Sequence, residues 1–181
     1  PERAARDSGV DLTTGEHFVA NYKPDVNLSM KVFKTIADPF IGKYSLVKVL
    51  TGVLRADSEL FNTGKEVEEK SGKIYVLRGK EAIEVSELRP GDIGAMAKLN
   101  ETETGDTLAR KQAPILYNAP QISKPYTYKA YVAKNKGDED RIASGLAKLM
   151  EEDRTLRAEV DAENRQSLLY GIGDQQLDIV V

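Results

Sequence analysis

The stretch MKVFKTIADPFIGKYSLVKVLTGVLRADSELFN, Met30 to Asn62, decides the fold. Its first segment sets Met30, Val32 and Ile36 against Lys31, Phe33 and Thr35. Its second sets Tyr44, Leu46 and Leu50 against Ser45, Val47 and Val49. Side chains in a strand take opposite faces at each step, so this alternation predicts half-buried strands. Asp38-Pro39-Phe40-Ile41-Gly42-Lys43 joins the two, and Thr51-Gly52 predicts a turn into a third segment. No catalytic constellation lies in the stretch, so the expectation is a domain that binds and positions.

Working outward, further strand signals follow at Lys73–Leu77, Ala82–Val85 and Ile93–Ala97, with Gly52, Gly64, Gly72, Gly79, Gly91 and Gly105 between segments. Short strands at this spacing predict a closed or nearly closed β-barrel over residues 30–113, and closure removes unpaired edges. Pro90-Gly91-Asp92 predicts a tight turn. Residues 1–29 show little periodicity and read as a connector with a short strand near Glu16–Val19. Three prolines in residues 114–125 predict a linker and a domain boundary.

Residues 126–181 read as a second domain. Tyr126 to Ala133 alternates as a strand; Ile142, Leu146, Leu149 and Met150 then form one stripe of a helix. Asp138 is the expected N-cap, and Gly145 is expected to mark a close approach to the sheet. Leu156–Val160 and Ser167–Tyr170 predict paired strands around a turn at 161–165, and Gly173-Asp174 opens a second helix. The order β-α-β-β-α is a split βαβ, ferredoxin-like layout without its last strand.

Composition narrows function. There are no cysteines, which excludes disulfides, zinc-cysteine sites and a cysteine nucleophile. No apolar run approaches the ~20 residues of a membrane span. Residues 1–29 hold three basic and five acidic groups, residues 30–113 fourteen and thirteen, and residues 122–181 nine and eleven. That is not the basic footprint of a protein binding naked nucleic acid unaided. Lys43, Arg55, Lys65, Lys70, Lys73, Arg78 and Lys80 do sit in or beside barrel turns, where they could meet phosphate. Interspersed Glu66, Glu68 and Glu69 favour ordinary solvated charge instead.

The remaining motifs are weak. His17 is the single histidine and reads as a solvated connector side chain. Asn135-Lys136-Gly137-Asp138 matches N-K-x-D, the guanine-reading motif of GTPases, but the phosphate loop G-x-x-x-x-G-K-[ST] occurs nowhere in the sequence. It therefore reads as a polar strand-to-helix turn. Gly171-Ile172-Gly173, with Gln176 where a third glycine would stand, reads as a second such turn. Glu151, Glu152 and Asp153 are consecutive on a helix, so they diverge and form a solvated acidic end.

Phe33-Lys34-x-x-x-Asp38-Pro39-Phe40-x-Gly42-Lys43, followed by Val49-x-x-Gly52-Val53-Leu54, resembles the opening of domain II of bacterial elongation factor G. Gly91-Asp92-Ile93-Gly94-Ala95 and Thr104-Gly105-Asp106-Thr107-Leu108 are similar to later signatures of that domain. Leu146-x-Lys148-Leu149-x-Glu151-Glu152-Asp153-x-Thr155 and Gly171-Ile172-Gly173-x-x-x-Leu177-Asp178-Ile179 resemble domain III. The resemblance, to elongation factor G or an elongation factor G-like paralogue, implies a translation-factor-type β-barrel followed by a truncated ferredoxin-like domain. It also implies a preceding GTPase domain, missing here, to which GTP and magnesium would belong, so that no cofactor and no catalysis are expected of these residues. Implied partners are the ribosome, through small-subunit RNA and proteins, and that GTPase domain, with no membrane or DNA partner and a cytoplasmic location. Lys43, Arg55, Lys73 and Arg78 are the expected ribosome contacts. Asp38, Phe40, Gly173, Asp174 and Gln175 are the expected contacts to the GTPase domain.

The sequence departs from the family pattern at Arg154 (Pro is usual), near Arg165 (Gly) and at Asp174-Gln175-Gln176 (Glu-Leu-His); Asp57 holds a turn position that is often Gly. These departures leave open a regulatory paralogue without translocase activity. Two other classes also remain: a protein-interaction module, and a small hydrolase using the turn Ala133-Lys134-Asn135-Lys136.

Overall fold

The computed structural model describes residues 7–38, 41–79 and 81–180. The chain divides into two units, Pro1–Pro120 and Gln121–Val181. In the first unit the strands are β1 (Ser8–Asp11), β2 (His17–Val19), β3 (Ser29–Asp38), β4 (Gly42–Thr51), β5 (Leu54–Arg55), β6 (Glu59–Asn62), β7 (Val67–Lys70), β8 (Ile74–Arg78), β9 (Glu81–Val85), β10 (Glu87–Leu88), β11 (Ile93–Ala97), β12 (Thr107–Ala109) and β13 (Ile115–Tyr117). Eight form one antiparallel sheet in the order β7-β6-β12-β3-β4-β11-β8-β9, beside the pair β10-β5 and a small sheet β13-β1-β2.

A single core shows that the large sheet curls on itself. Met30 and Val32 from β3, Val47 and Val49 from β4, Leu60, Ile74, Met96 and Leu108 from β6, β8, β11 and β12, and Leu54 and Leu88 from the small pair all belong to one buried cluster. A flat sheet would leave its distant strands in separate layers, so this is the barrel the alternation predicts. The Pro90–Asp92 turn closes as expected, with Asp92 N–H donating to the Arg89 carbonyl at 2.9 Å.

The face of β4 opposite the barrel core carries Leu50, which packs with Ala20, Ile115 and Tyr117 in a second cluster. The small sheet therefore forms an outer layer against β3 and β4, where Ser29 Oγ lies 2.6 Å from Thr51 Oγ1 and 2.7 Å from the Tyr117 hydroxyl. Two sequence expectations change here. Residues 8–11 are a paired strand rather than part of a connector, and residues 115–117 are a strand inside the segment read as a linker, while the short strand expected near Glu16–Val19 is present as β2. Strands of three or four residues are too short to show alternation, and Gly9 of β1 finds its β13 partner, Tyr117, more than a hundred residues away. Pro114 and Pro120 flank β13 without interrupting it.

Within β3, alternation also breaks. The pairing runs Val32 to Val47 and then Lys34 to Leu46, so Phe33 is an extra residue in a β-bulge. Thr35 is thereby turned inward and buried, opposite Ser45, while Ile36 pairs with Tyr44. Ile36 thus does not share the face of Met30 and Val32. At the end of β4, Gly52 has φ +66°, and a Cβ there would lie 2.6 Å from the Leu28 backbone. Only glycine fits that turn.

The second unit contains β14 (Thr127–Tyr131), α1 (Glu139–Glu152), β15 (Arg157–Asp161), β16 (Gln166–Gly171) and α2 (Asp174–Val180). Its sheet order is β14-β16-β15, all antiparallel neighbours, which is the split βαβ arrangement. Ile142, Leu146, Leu149 and Met150 pack on Leu156, Leu169 and Leu177, as the stripe predicts. Asp138 holds the N-cap position but makes no capping bond with its side chain. Its carboxylate instead accepts from Asn135 and Arg141. Gly145 is exposed, and a Cβ added there would meet no atom within 4 Å, so close approach to the sheet does not explain it. No helix is long and apolar enough to cross a membrane among the described residues.

Candidate functional site

Polar chemistry gathers in three places: the outer face of the barrel, the barrel turns, and the β16–α2 turn. On the outer face, Lys48 of β4 reaches the Asp7 carboxylate at 2.9 Å and the Tyr22 hydroxyl at 2.7 Å, and Tyr22 donates to the same Asp7 oxygen at 2.5 Å. Lys31 lies 3.6 Å from the other carboxylate oxygen, and its ammonium sits 5.4 Å from the centre of the Tyr117 ring. Burial alone would raise the Asp7 carboxyl. The bonds from Tyr22 and Lys48 and the charges of Lys48 and Lys31 outweigh it and hold the group below its ordinary value. Burial likewise opposes the Lys48 charge, yet bonding to Tyr22 and Asp7 leaves its pKa raised. Burial and the bond to Asp7 raise Tyr22, and burial pushes Tyr117 up to about 12. Beside this network lies a cavity of about 430 Å³ lined by Val32, Phe33, Ile93, Gly105 and Pro120 together with Asp7, Lys31 and Lys48.

The turn between β3 and β4 is held by Asp38, whose Oδ1 accepts the Ile41 N–H at 2.8 Å. Phe40 lies outside the described residues. Lys43, next along β4, points its ammonium at the carbonyls of Asn100 (3.5 Å) and Thr102 (3.4 Å). Register places Lys43 and Lys73 at one end of the sheet, since Tyr44 pairs with Ala97 and Ile74 with Met96. Arg55 lies in β5, after the turn at the opposite end of β4 from Lys43, and two residues on Asp57 N–H donates to the Gly72 carbonyl. Arg78, five residues along β8 from Lys73, stands exposed at the tip of the β8–β9 hairpin, paired in register with Glu81. That is about 16 Å away at strand rise.

By register Lys43 and Lys73 share one end of the sheet, while Arg55 follows the other end of β4 and Arg78 stands at the far end of β8. Their charges are largely answered. Lys73 meets Glu84 at 2.7 Å, a contact that raises its pKa, and Arg55 meets Glu87 at 3.7 Å. Lys65 and Lys70 likewise meet Asp106 and Asp57. Both partners are exposed in the Lys73–Glu84 and Lys70–Asp57 pairs, so each of these is worth little and is available for exchange with another anion.

At the β16–α2 turn, Gly173 lies just before the helix and Asp174 opens it, its carboxylate accepting from Thr127 at 3.2 Å. Gln175 is exposed. The residue that organises the turn is Gln176. Its Oε1 accepts the Ile172 N–H at 2.8 Å, and its Nε2 donates to Asp153 (2.7 Å) and Thr155 (2.8 Å), joining the end of α1 to the start of α2. A Cβ on Gly171 would lie 2.5 Å from the Gln176 oxygen and 2.8 Å from Leu177, so this approach needs bare backbone. Sequence reading marks Gln176 only as a departure and a missing glycine; it does not reach Asp7, Tyr22 or Lys48 at all.

Catalytic alternatives find little support here. Asn135 and Asp138 bond to each other at 3.1 Å inside a polar turn, which answers the N-K-x-D pattern. Asp153 is occupied by Thr155 and Gln176, and His17 is exposed on an edge strand. Among the described residues no group of three or more His, Cys, Asp or Glu side chains is placed to hold a metal ion.

Comparison with known proteins agrees with this architecture. Residues 27–111 match the family model described as elongation factor G domain 2, and residues 122–181 match the one described as elongation factor G, domain III. Among solved structures, a crystal structure of a protein from Thermus thermophilus superposes with a TM-score of 0.74 and 27% sequence identity over 86% of this chain. The chain spans 24% of the length of that protein's chain. Two domain matches in order, each falling on the fold it describes, show that the chain belongs to the elongation factor G family and carries its second and third domains.

Proposed function

We propose that these two domains serve a translational GTPase as its binding and transmitting part, contacting the ribosome and coupling nucleotide state to translocation without hydrolysing GTP themselves. The observation that carries this reading is the ordered pair of family domains, 27–111 and 122–181, on a chain with no phosphate loop. GTP and magnesium then belong to the GTPase domain of the whole protein, which would act in the cytoplasm. Lys43, Arg55, Lys73 and Arg78 are the proposed ribosome contacts, with Lys43 and Lys73 at one end of the barrel sheet. The Asp38–Gly42 turn, including Phe40, and the Gly173–Gln175 segment are the proposed contacts to the GTPase domain.

The exposed pair of Lys73 and Glu84, and the 3.7 Å pair of Arg55 with half-buried Glu87, fit an exchange of carboxylate for RNA phosphate, because loose surface pairs cost little to break. In the full-length protein, charge reversal at Lys43, Arg55 or Lys73 is expected to lower co-sedimentation with ribosomes, with the loss relative to the parent largest at low salt and shrinking as salt rises. Unchanged sedimentation across the three variants would overturn the site assignment. GTP hydrolysis by this 181-residue chain alone would overturn the non-catalytic reading. A second reading, a regulatory paralogue without translocase activity, draws on Gln176. There a neutral amide bridges Asp153 and Ile172 in a segment where the family pattern has His. Translocation assays on the full-length protein separate the two.

A further inference from the structure

Across the helix-free face of the second unit's sheet, three side chains stand in one lateral row: Tyr128 on β14, Tyr170 on β16 and Arg157 on β15. Residues directly opposite in neighbouring strands share a face. Leu169 and Ala158, one step along, lie in the core with the helices, so the row faces away from them. The two rings are 5.3 Å apart between centroids and tilted by 42°. Tyr128 is 59% exposed with the whole chain in place, and the Arg157 side chain is 67% exposed and paired with Glu159. The next row, Ala130, Leu168 and Glu159, is smaller, and it leaves a depression of about 410 Å³ beside Tyr170.

We propose that this row is a stacking platform for the unpaired bases of single-stranded RNA. Every base presents a π face, and rings fixed on a sheet stack with bases regardless of sequence. Aromatic side chains on adjacent strands of an open sheet are how common RNA modules take two or three bases. Arg157 supplies a guanidinium for phosphate or for stacking on the next base. Glu159, held beside it, supplies an acceptor for an exocyclic amino group at the rim of the depression. With nine basic and eleven acidic residues in 122–181, phosphate attraction contributes little and stacking dominates. That separates this surface from the barrel's proposed ribosome contacts, whose success or failure is measured independently on the full-length protein.

The test titrates the 181-residue chain with labelled single-stranded oligoribonucleotides of about eight nucleotides, while the Tyr128 and Tyr170 ring resonances are followed by NMR. Saturable shifts in both rings are expected. Tyr128→Ala or Tyr170→Ala should weaken binding about ten- to hundredfold, whereas Tyr128→Phe and Tyr170→Phe, which keep the stack and the fold, leave it unchanged. Raising salt fourfold should cost only about threefold in affinity, as for a single phosphate contact. Absence of saturable binding, alanine variants that bind as well as the parent chain, or equal binding of duplex RNA would each overturn the proposal. So would an oligo-lysine peptide that shifts these rings where RNA does not, since Glu159 and the Tyr170 ring would then be a site for a cationic protein segment.

Discussion

At the scale of the residue, Asp7 and Gln176 hold structure together through bonds that no local pattern announces. Asp7 meets Lys48 forty-one positions away, and Gln176 meets Asp153 across twenty-three. Sequence reading sees neighbours and periods, and neither pair has one. Asp7→Ala would leave Lys48 and Tyr22 without their shared acceptor and should lower stability by about 1–3 kcal/mol, read from denaturant midpoints at neutral pH. The pH dependence has a definite sign. Asp7 is depressed in the fold, so its contribution is present above the ordinary carboxyl value of 3.8 and is lost as pH falls below it. Tyr22 and Lys48 are raised, so theirs is present below about pH 10 and fades as pH climbs through their folded values. Asp7→Asn should flatten the acid limb while leaving the protein folded. Gln176→Glu would set a second carboxylate against Asp153 and should destabilise the second unit by about 1–3 kcal/mol, with partial recovery on acidification.

At the scale of the element, legibility follows length. β3 and β4, ten residues each, were plain from alternation, as was the α1 stripe. β1 and β13, with four and three residues, were not, although the equally short β2 was. The bulge at Phe33 was also invisible, because an inserted residue changes the phase of a strand without changing its composition. Deleting Phe33 should remove the bulge while keeping Lys34 opposite Leu46, Thr35 inward and Ile36 outward, so the barrel should still unfold cooperatively; loss of that cooperativity would show that the bulge itself is needed. In the second unit, Leu169 and Leu177 are fully buried between sheet and helices. A unit of about 60 residues has roughly 3–9 kcal/mol of stability, and a buried Leu→Ala costs about 2–5 kcal/mol. Leu177→Ala should therefore bring residues 121–181 to the edge of unfolding while amide protection in the barrel core persists.

At the scale of the molecule, the division into barrel and split βαβ was readable because the two periods, two and 3.6, occupy different stretches. The ion-paired surface was not, since composition reports how many charges there are and not which ones meet. Residues 119–123 are exposed between the units, so limited digestion with a non-specific protease should cut there first and leave both parts protected. The pairing of β1 with β13 has a mechanical consequence. Gly9 lies opposite Tyr117, and Asn118 N–H donates to the Ser8 carbonyl, so the start of β1, the entrance to this strand layer, lies beside the end of β13, its exit. Tension applied across that entrance and exit would peel β1 from β13 one bond at a time, bypassing the barrel core. Asp7, gripped by Lys31, Lys48 and Tyr22, stands at the fork of that zipper and is the first grip to take the load.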